Sequence, residues 1–305
     1  MYTEFFGMTK KPFSIAPDPA FMFQSKHHKR AQNMLEYGVM SHAGFTVITG
    51  PIGAGKTTLI RNLLSEMGDD VVTGHINNTH QSFGNLMLWI LDAFDVPCEE
   101  QDNAKRFRQF SNFVLNQYAE QKRVLLVVDE AQNLSIDTLE ELRLISNINT
   151  ANDIFLQLIL VGQSELIEKL NRPELTQFAQ RIGVDYNLLP MSRKDTERYI
   201  LHRLTIAGRS DEIFSDAAMA AVYCFSEGIP RRINLLCDMA LVYAFADDKQ
   251  TVNAEIIIDV VKDRNVSPVI QRNSAHTKEL DEVSDWLEKN EKIDVRNLLF
   301  SNDVV

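Results

Sequence analysis

Between positions 45 and 161 the chain alternates short, mostly apolar β-rich runs with stretches of helical periodicity. Phe45-Thr-Val-Ile-Thr49, Val71–Ile76, Val124-Leu-Leu-Val-Val128 and Phe155-Leu-Gln-Leu-Ile-Leu-Val161 read as strands. Leu59, Leu63 and Leu64 mark a helix after the first of them, and further helices are expected over Phe83–Phe94, 104–120 and 135–148. Strands that are apolar on both faces belong to a parallel sheet with helices on either side. Beyond Pro190 the strand signal stops. Segments 192–207, 215–226, 231–246 and 253–264 carry apolar residues at i, i+3, i+4 spacing, which predicts a small all-α domain.

The two ends read differently. Residues 1–24 combine Phe5-Phe6-Gly7, Pro12-Phe13, Pro17-Asp18-Pro19 and Phe21-Met22-Phe23, a turn-rich segment pinned by aromatic side chains. Ser25 is placed to cap a helix running to about Tyr37, with Ala31, Met34 and Leu35 on one face. After Asn265 the chain turns polar and acidic. An amphipathic helix over 278–290 presents Leu280, Val283, Trp286 and Leu287, either docked at the end of a linker or part of a mobile tail. The expected division is an α/β domain over 1–190, a helical domain over 191–264 and a polar tail over 265–305.

Hydrophobic content of 45% with 24% charged residues suits an ordinary globular protein. The net charge of −11 weighs against a surface that holds nucleic acid by bulk attraction, which leaves only local basic patches. The densest, Lys26-His-His-Lys-Arg30, is read as a solvated helix start, and its histidines lack Cys or acidic partners at zinc-ligand spacing. Cys98, Cys224 and Cys237 form no Cys-x-x-Cys pair and lie among apolar neighbours, as buried small hydrophobes in a reducing compartment do. The start, Met1-Tyr-Thr-Glu4, has no signal-peptide pattern, and no run reaches the ~20 apolar residues of a membrane span. A cytoplasmic location is expected.

The chemistry concentrates in two motifs. Gly50-Pro51-Ile-Gly53-Ala54-Gly55-Lys56-Thr57, followed by Thr58, has the P-loop spacing between a strand and a helix. Its glycines let backbone N–H groups surround a phosphate, and the helix N-terminus adds positive potential. Lys56 is placed to bridge β- and γ-phosphates and Thr57 to ligate Mg²⁺. The strand Val124–Val128 ends in Asp129-Glu130, two carboxylates at the edge where open α/β sheets bind ligands. Asp129 is assigned to the Mg²⁺ shell and Glu130 to the attacking water. ATP and Mg²⁺ are the expected ligands.

Over about residues 1–265 the chain resembles the AAA+ ATPases, and within them the ExeA/GspA-like group. The likeness rests on the Phe-Phe-Gly…Lys-Pro-Phe…Pro-Asp-Pro box, the P-loop, Val-Val-Asp129-Glu130-Ala-Gln132, and Gly228-Ile-Pro230-Arg231-Arg232-Ile-Asn234. It implies a P-loop AAA+ domain with a parallel sheet flanked by helices, followed by a small all-α lid. It also implies roles: Gln163 as the polar sensor near the γ-phosphate, Arg181 as the arginine finger toward a neighbouring subunit with Arg172 as the next candidate, and Arg231 as the lid sensor. Arg232 is expected to face solvent or a neighbour, and Phe13, Ile15 and Pro17 to flank the purine. The resemblance implies a homo-oligomer, ring or filament, that hydrolyses ATP to drive or switch an envelope-associated system for secretion, pilus or exopolysaccharide export, through an envelope-assembly protein partner. ExeA-like proteins continue into a membrane span and a cell-wall-binding part. Neither is read here, so a soluble type is expected. The alternative is an ATP-dependent regulator of transposition that oligomerises on DNA, as TnsC/MuB-type ATPases do; the acidic balance weighs against it.

Overall fold

The structure is a computed structural model that describes residues 1–16, 18–77, 85–98, 102–150, 153–209, 212–263 and 277–295. Two compact units emerge: one of 28–52 and 56–188, the other of 1–27, 53–55 and 189–305.

The first unit is built on five parallel strands: β1 (Phe45–Thr49), β2 (Val71–Ile76), β3 (Arg123–Val128), β4 (Leu156–Gly162) and β5 (Ile182–Asn187), in the order β2-β3-β4-β1-β5. Every residue of β1 and β4 is buried, as central strands covered on both faces must be. At the edge, β5 buries only Val184, so its sequence alternates and lacks an apolar run. Register sets Ile48 beside Val161, and Leu160 beside Val128, so β1, β3 and β4 end on one edge. Three helices of this unit begin on side-chain caps: Asn85 accepts from the Met87 amide (2.8 Å), Asp102 from Ala104 (2.7 Å) and Ser135 from Thr138 (3.0 Å). Helix Leu86–Ala93 starts after the cap; Phe83, the expected start, lies outside the described residues. The stretch expected as one helix over 135–148 closes as an α-helix to Ile145 and a 3₁₀ turn, Ser146–Ile148. Cys98 is only half-buried, against this core.

The second unit is helical: Arg193–Ile206, Asp216–Ser226, Pro230–Ala246, Ala254–Lys262 and Thr277–Glu291. Ser192, Ser215 and Asn253 cap three of them. Helix Asp216–Ser226 is buried all round, the centre of the bundle. The N-terminal box, expected with the α/β domain, groups instead with this unit. The reason is a buried cation. The Arg203 guanidinium donates to the carbonyls of Pro12 (2.5 Å) and Ser14 (3.3 Å), to Tyr199 Oη (2.6 Å) and to Asn234 Oδ1 (3.1 Å), and it lies over the Phe21 ring. The Tyr2 hydroxyl donates to Asp238 of helix Pro230–Ala246, and Phe13 packs edge-on against Phe214. The tail helix docks as well: Val283 and Leu287 are buried in the same core, and Tyr223 Oη donates to Glu279 (2.9 Å).

Candidate active site

The sheet edge gathers the motif residues of the first unit. Gly50 follows β1 with φ 154°, and a Cβ there would meet the Leu188 carbonyl oxygen at 2.6 Å, so glycine is required. Lys56 opens helix Lys56–Glu66 and is buried; its ammonium donates to the carbonyls of Gly50 (2.8 Å) and Pro51 (3.0 Å). Burial pushes its pKa down, opposed by the charges of Glu130, Asp129 and Glu165. A charged amine held by two neutral carbonyls can exchange them for phosphate oxygens at a net gain.

Thr57 Oγ1 donates to Asp129 Oδ2 at 2.9 Å. The other oxygen, Asp129 Oδ1, accepts from the Glu130 amide (2.8 Å), and the Asp129 amide bonds the Ile76 carbonyl (2.9 Å), which fixes the end of β3 against β2. A hydroxyl and a carboxylate side by side are hard oxygen donors. Among the described residues no group of three or more His, Cys, Asp or Glu is poised for a metal. That donor set suits Mg²⁺, which takes one or two protein oxygens and completes its shell with water and phosphate.

Glu130 adopts the left-handed conformation, φ 53° and ψ 35°, turning the chain into the 3₁₀ turn Ala131–Asn133. Its Oε2 accepts from Gln132 Nε2 at 2.6 Å and from Gln163 Nε2 at 3.3 Å. Gln163, the residue after β4, thus lies beside the second acid of the motif. The contact of Gln132 was not foreseen; its place two residues past Glu130 on a tight turn is the signal that could have found it.

Arg181 precedes β5 and is exposed. Its guanidinium bonds the Arg143 carbonyl (3.1 Å), Ser146 Oγ (2.7 Å) and Asn147 Oδ1 (2.7 Å). Arg172 is exposed too, and its amide bonds Lys169. In the helical unit, Gly228 (φ 70°) leaves only 2.0 Å between an added Cβ and the Met191 carbonyl oxygen, so the Gly-Ile-Pro turn admits no side chain there. Pro230 then opens the next helix. Arg231 is exposed on its first turn, and its amide donates to the Gly53 carbonyl (3.3 Å), within the same unit. Arg232, expected toward solvent or a neighbour, is instead committed to the buried Glu227 (2.8 Å). The Phe13 ring is spent on core packing and cannot flank a purine. Ile15 is exposed, and Pro17 lies outside the described residues.

A P-loop lysine, a Thr–Asp pair and a glutamate at the edge of a parallel sheet, with a separate helical unit downstream, define a P-loop nucleotide-binding protein of the AAA+ type. An AAA-domain family model matches residues 39–170. The chain is 40% identical over 247 residues, 81% of its length, to the general secretion pathway protein A of Aeromonas hydrophila, of which it spans 45%. Solved structures with the same fold include Cdc6p of Pyrobaculum aerophilum (15% identity, 82% of this chain and 70% of that one, TM-score 0.64). The ORC2 protein of Aeropyrum pernix in its ADPNP–ADP complexes is another (15%, 93% and 85%, TM-score 0.61). The chain belongs to the AAA+ ATPase family, in the group of general secretion pathway protein A. Among the described residues no helix is long and apolar enough to cross a membrane.

Proposed function

We propose that this chain hydrolyses ATP to ADP and phosphate and uses the cycle to drive or switch assembly of an envelope-associated system. The hydrogen bond between Thr57 and Asp129 carries the reading, because it joins the phosphate loop to the carboxylate that P-loop chemistry needs beside it. The backbone of Gly50–Gly55 and the Lys56 ammonium bind the phosphates; Thr57 and Asp129 hold Mg²⁺, whose charge offsets that of the phosphate oxygens. Thr58 follows in the first turn of the helix, and Ala54, within the loop, is buried. Glu130 accepts a proton from the attacking water, with Gln163 next to it. Arg231 contacts the nucleotide, and Ile15 contacts the base. Arg181 serves a neighbouring subunit, so the active form is a homo-oligomer. The envelope role is carried over from the relative in Aeromonas hydrophila, whose name places it in the general secretion pathway.

Two measurements test this. Lys56→Ala should abolish nucleotide binding, and Glu130→Gln should bind ATP but turn over at least a hundredfold more slowly, the usual scale for loss of a general base. Deletion of the gene should block export, with rescue by the wild type but not by the Lys56 variant. ATPase activity that depends on duplex DNA, with filaments along it, would replace the envelope reading with a DNA-bound regulator.

A further inference from the structure

Gln132 lies outside every role assigned above, yet its side chain is the best-tied amide at the sheet edge. Its Oε1 accepts from the backbone amide of Gln163 at 3.0 Å. A backbone N–H can only donate, so this end of the amide must be the oxygen, and the other end must be the NH₂. That NH₂ donates to Glu130 Oε2 at 2.6 Å, the oxygen that Gln163 Nε2 also reaches.

The surroundings are shaped around this amide. Gly162 ends β4, and a Cβ there would come within 3.1 Å of Gln132 Oε1 and 2.7 Å of Leu166. The Lys169 ammonium donates to the carbonyls of Gln132 and Leu134 (2.8 Å to the latter), fixing the backbone of the turn. The end of β3, the turn after it, the end of β4 and helix Ser164–Leu170 therefore all meet at one side chain.

We propose that Gln132 is a positioning residue for hydrolysis: its amide sets the rotamer of the Glu130 carboxylate and couples it to the backbone that follows β4. The proposal rests on the ATP-hydrolysing reading above. A glutamate side chain has three rotatable bonds, and a base displaced by about 1 Å from the attacking water can lose on the order of a hundredfold in rate. A neutral amide holds the carboxylate without placing a competing charge beside Lys56 or a phosphate. In the proposed site the phosphates and Mg²⁺ are held by the P-loop, Lys56, Thr57 and Asp129, not by Gln132. The role should therefore show in kcat and not in affinity.

The test uses the full chain with Gln132→Met, which keeps the length and volume but donates nothing, and Gln132→Asn, which keeps the amide one methylene shorter. The expected result is a fall in kcat of about tenfold or more for Gln132→Met, with KM and nucleotide Kd within about twofold of wild type, a melting temperature lowered by only about 2–4 °C, and partial recovery in Gln132→Asn. In a Glu130→Gln background Gln132→Met should slow turnover no further. A retained or raised kcat, a parallel loss of affinity, or a fully additive double variant overturns the positioning role. A wild type that hydrolyses ATP and depends on Glu130, but is indifferent to Gln132→Met, sinks the positioning role alone; a wild type that binds ATP without hydrolysing it removes the underlying reading and this role with it.

Discussion

The Thr57 hydroxyl donates to Asp129 Oδ2 across 2.9 Å although the two residues are 72 positions apart. They follow strands that are not neighbours: Thr57 opens the helix after β1, Asp129 comes directly after β3, and β4 lies between the two strands. Parallel register carries both strand ends to one edge, and the turn of the P-loop brings the hydroxyl back to the carboxylate. A shared Mg²⁺ shell predicts that Thr57→Ala and Asp129→Asn both raise the Mg²⁺ concentration for half-maximal ATPase activity, by about tenfold or more. A Mg²⁺ titration at saturating ATP reads this directly. An unchanged midpoint in both variants would place the ion elsewhere.

Arg181 is held by Arg143, Ser146 and Asn147 of its own chain, which orients a guanidinium on an exposed surface. If it acts on a neighbour, Arg181→Ala should bind ATP normally and hydrolyse it about a thousandfold more slowly, the scale of an arginine finger. Mixing Arg181→Ala with Lys56→Ala should restore activity, because a subunit with an intact P-loop then meets a neighbour with an intact arginine. Mixtures as inactive as either variant alone would return the role to Arg172 or to none.

Arg203 links the N-terminal box to the helical unit through two carbonyls, Tyr199 and Asn234, and the Arg203, Tyr199 and Asn234 side chains are buried. Arg203→Met removes the charge but leaves those acceptors without their donor, which costs about 3 kcal/mol. We expect a lower melting temperature and faster proteolysis within the first 20 or so residues. Stability equal to wild type would mean that the aromatic packing of Phe6, Phe13 and Phe21 suffices by itself.

Much of this was legible in the sequence. β1, β3 and β4 are mostly apolar because they are covered on both faces, and the P-loop and Asp129-Glu130 motifs mark two of their ends. Strand β5 was not legible: Ile182-Gly-Val-Asp-Tyr-Asn187 lies at the edge and buries one residue, so nothing separates it from a polar loop. The assignment of residues 1–27 failed for a different reason. It depends on hydrogen bonds from Arg203 to carbonyls 191 and 189 positions away, and no local pattern encodes such pairs. Arg232 and Gln132 were missed for a local reason instead. Their residue types were visible, but the partners Glu227 and Glu130 follow from turn geometry, with left-handed backbone at both acids.

The tail helix offers the last prediction. Leu287 is fully buried, Val283 nearly so, and Trp286 receives the Arg193 guanidinium at 5.3 Å from its ring. Ser284 lies against Cys224, whose thiol burial pushes up to about 12, with Ser284 and Arg193 pulling it back. Alkylation proceeds through the thiolate, so at pH 8 Cys224 should react far more slowly than half-buried Cys98, and its rate should climb as pH rises toward that value. Leu287→Ala removes about 3 kcal/mol of docking. That loss lets the helix lift from the bundle and exposes Cys224. The variant should therefore label at Cys224 at least tenfold faster at pH 8, while Cys237, buried against other helices, stays protected. Mass spectrometry of the labelled chain separates the sites. Equal rates at Cys224 in both proteins would show that the helix does not shield it.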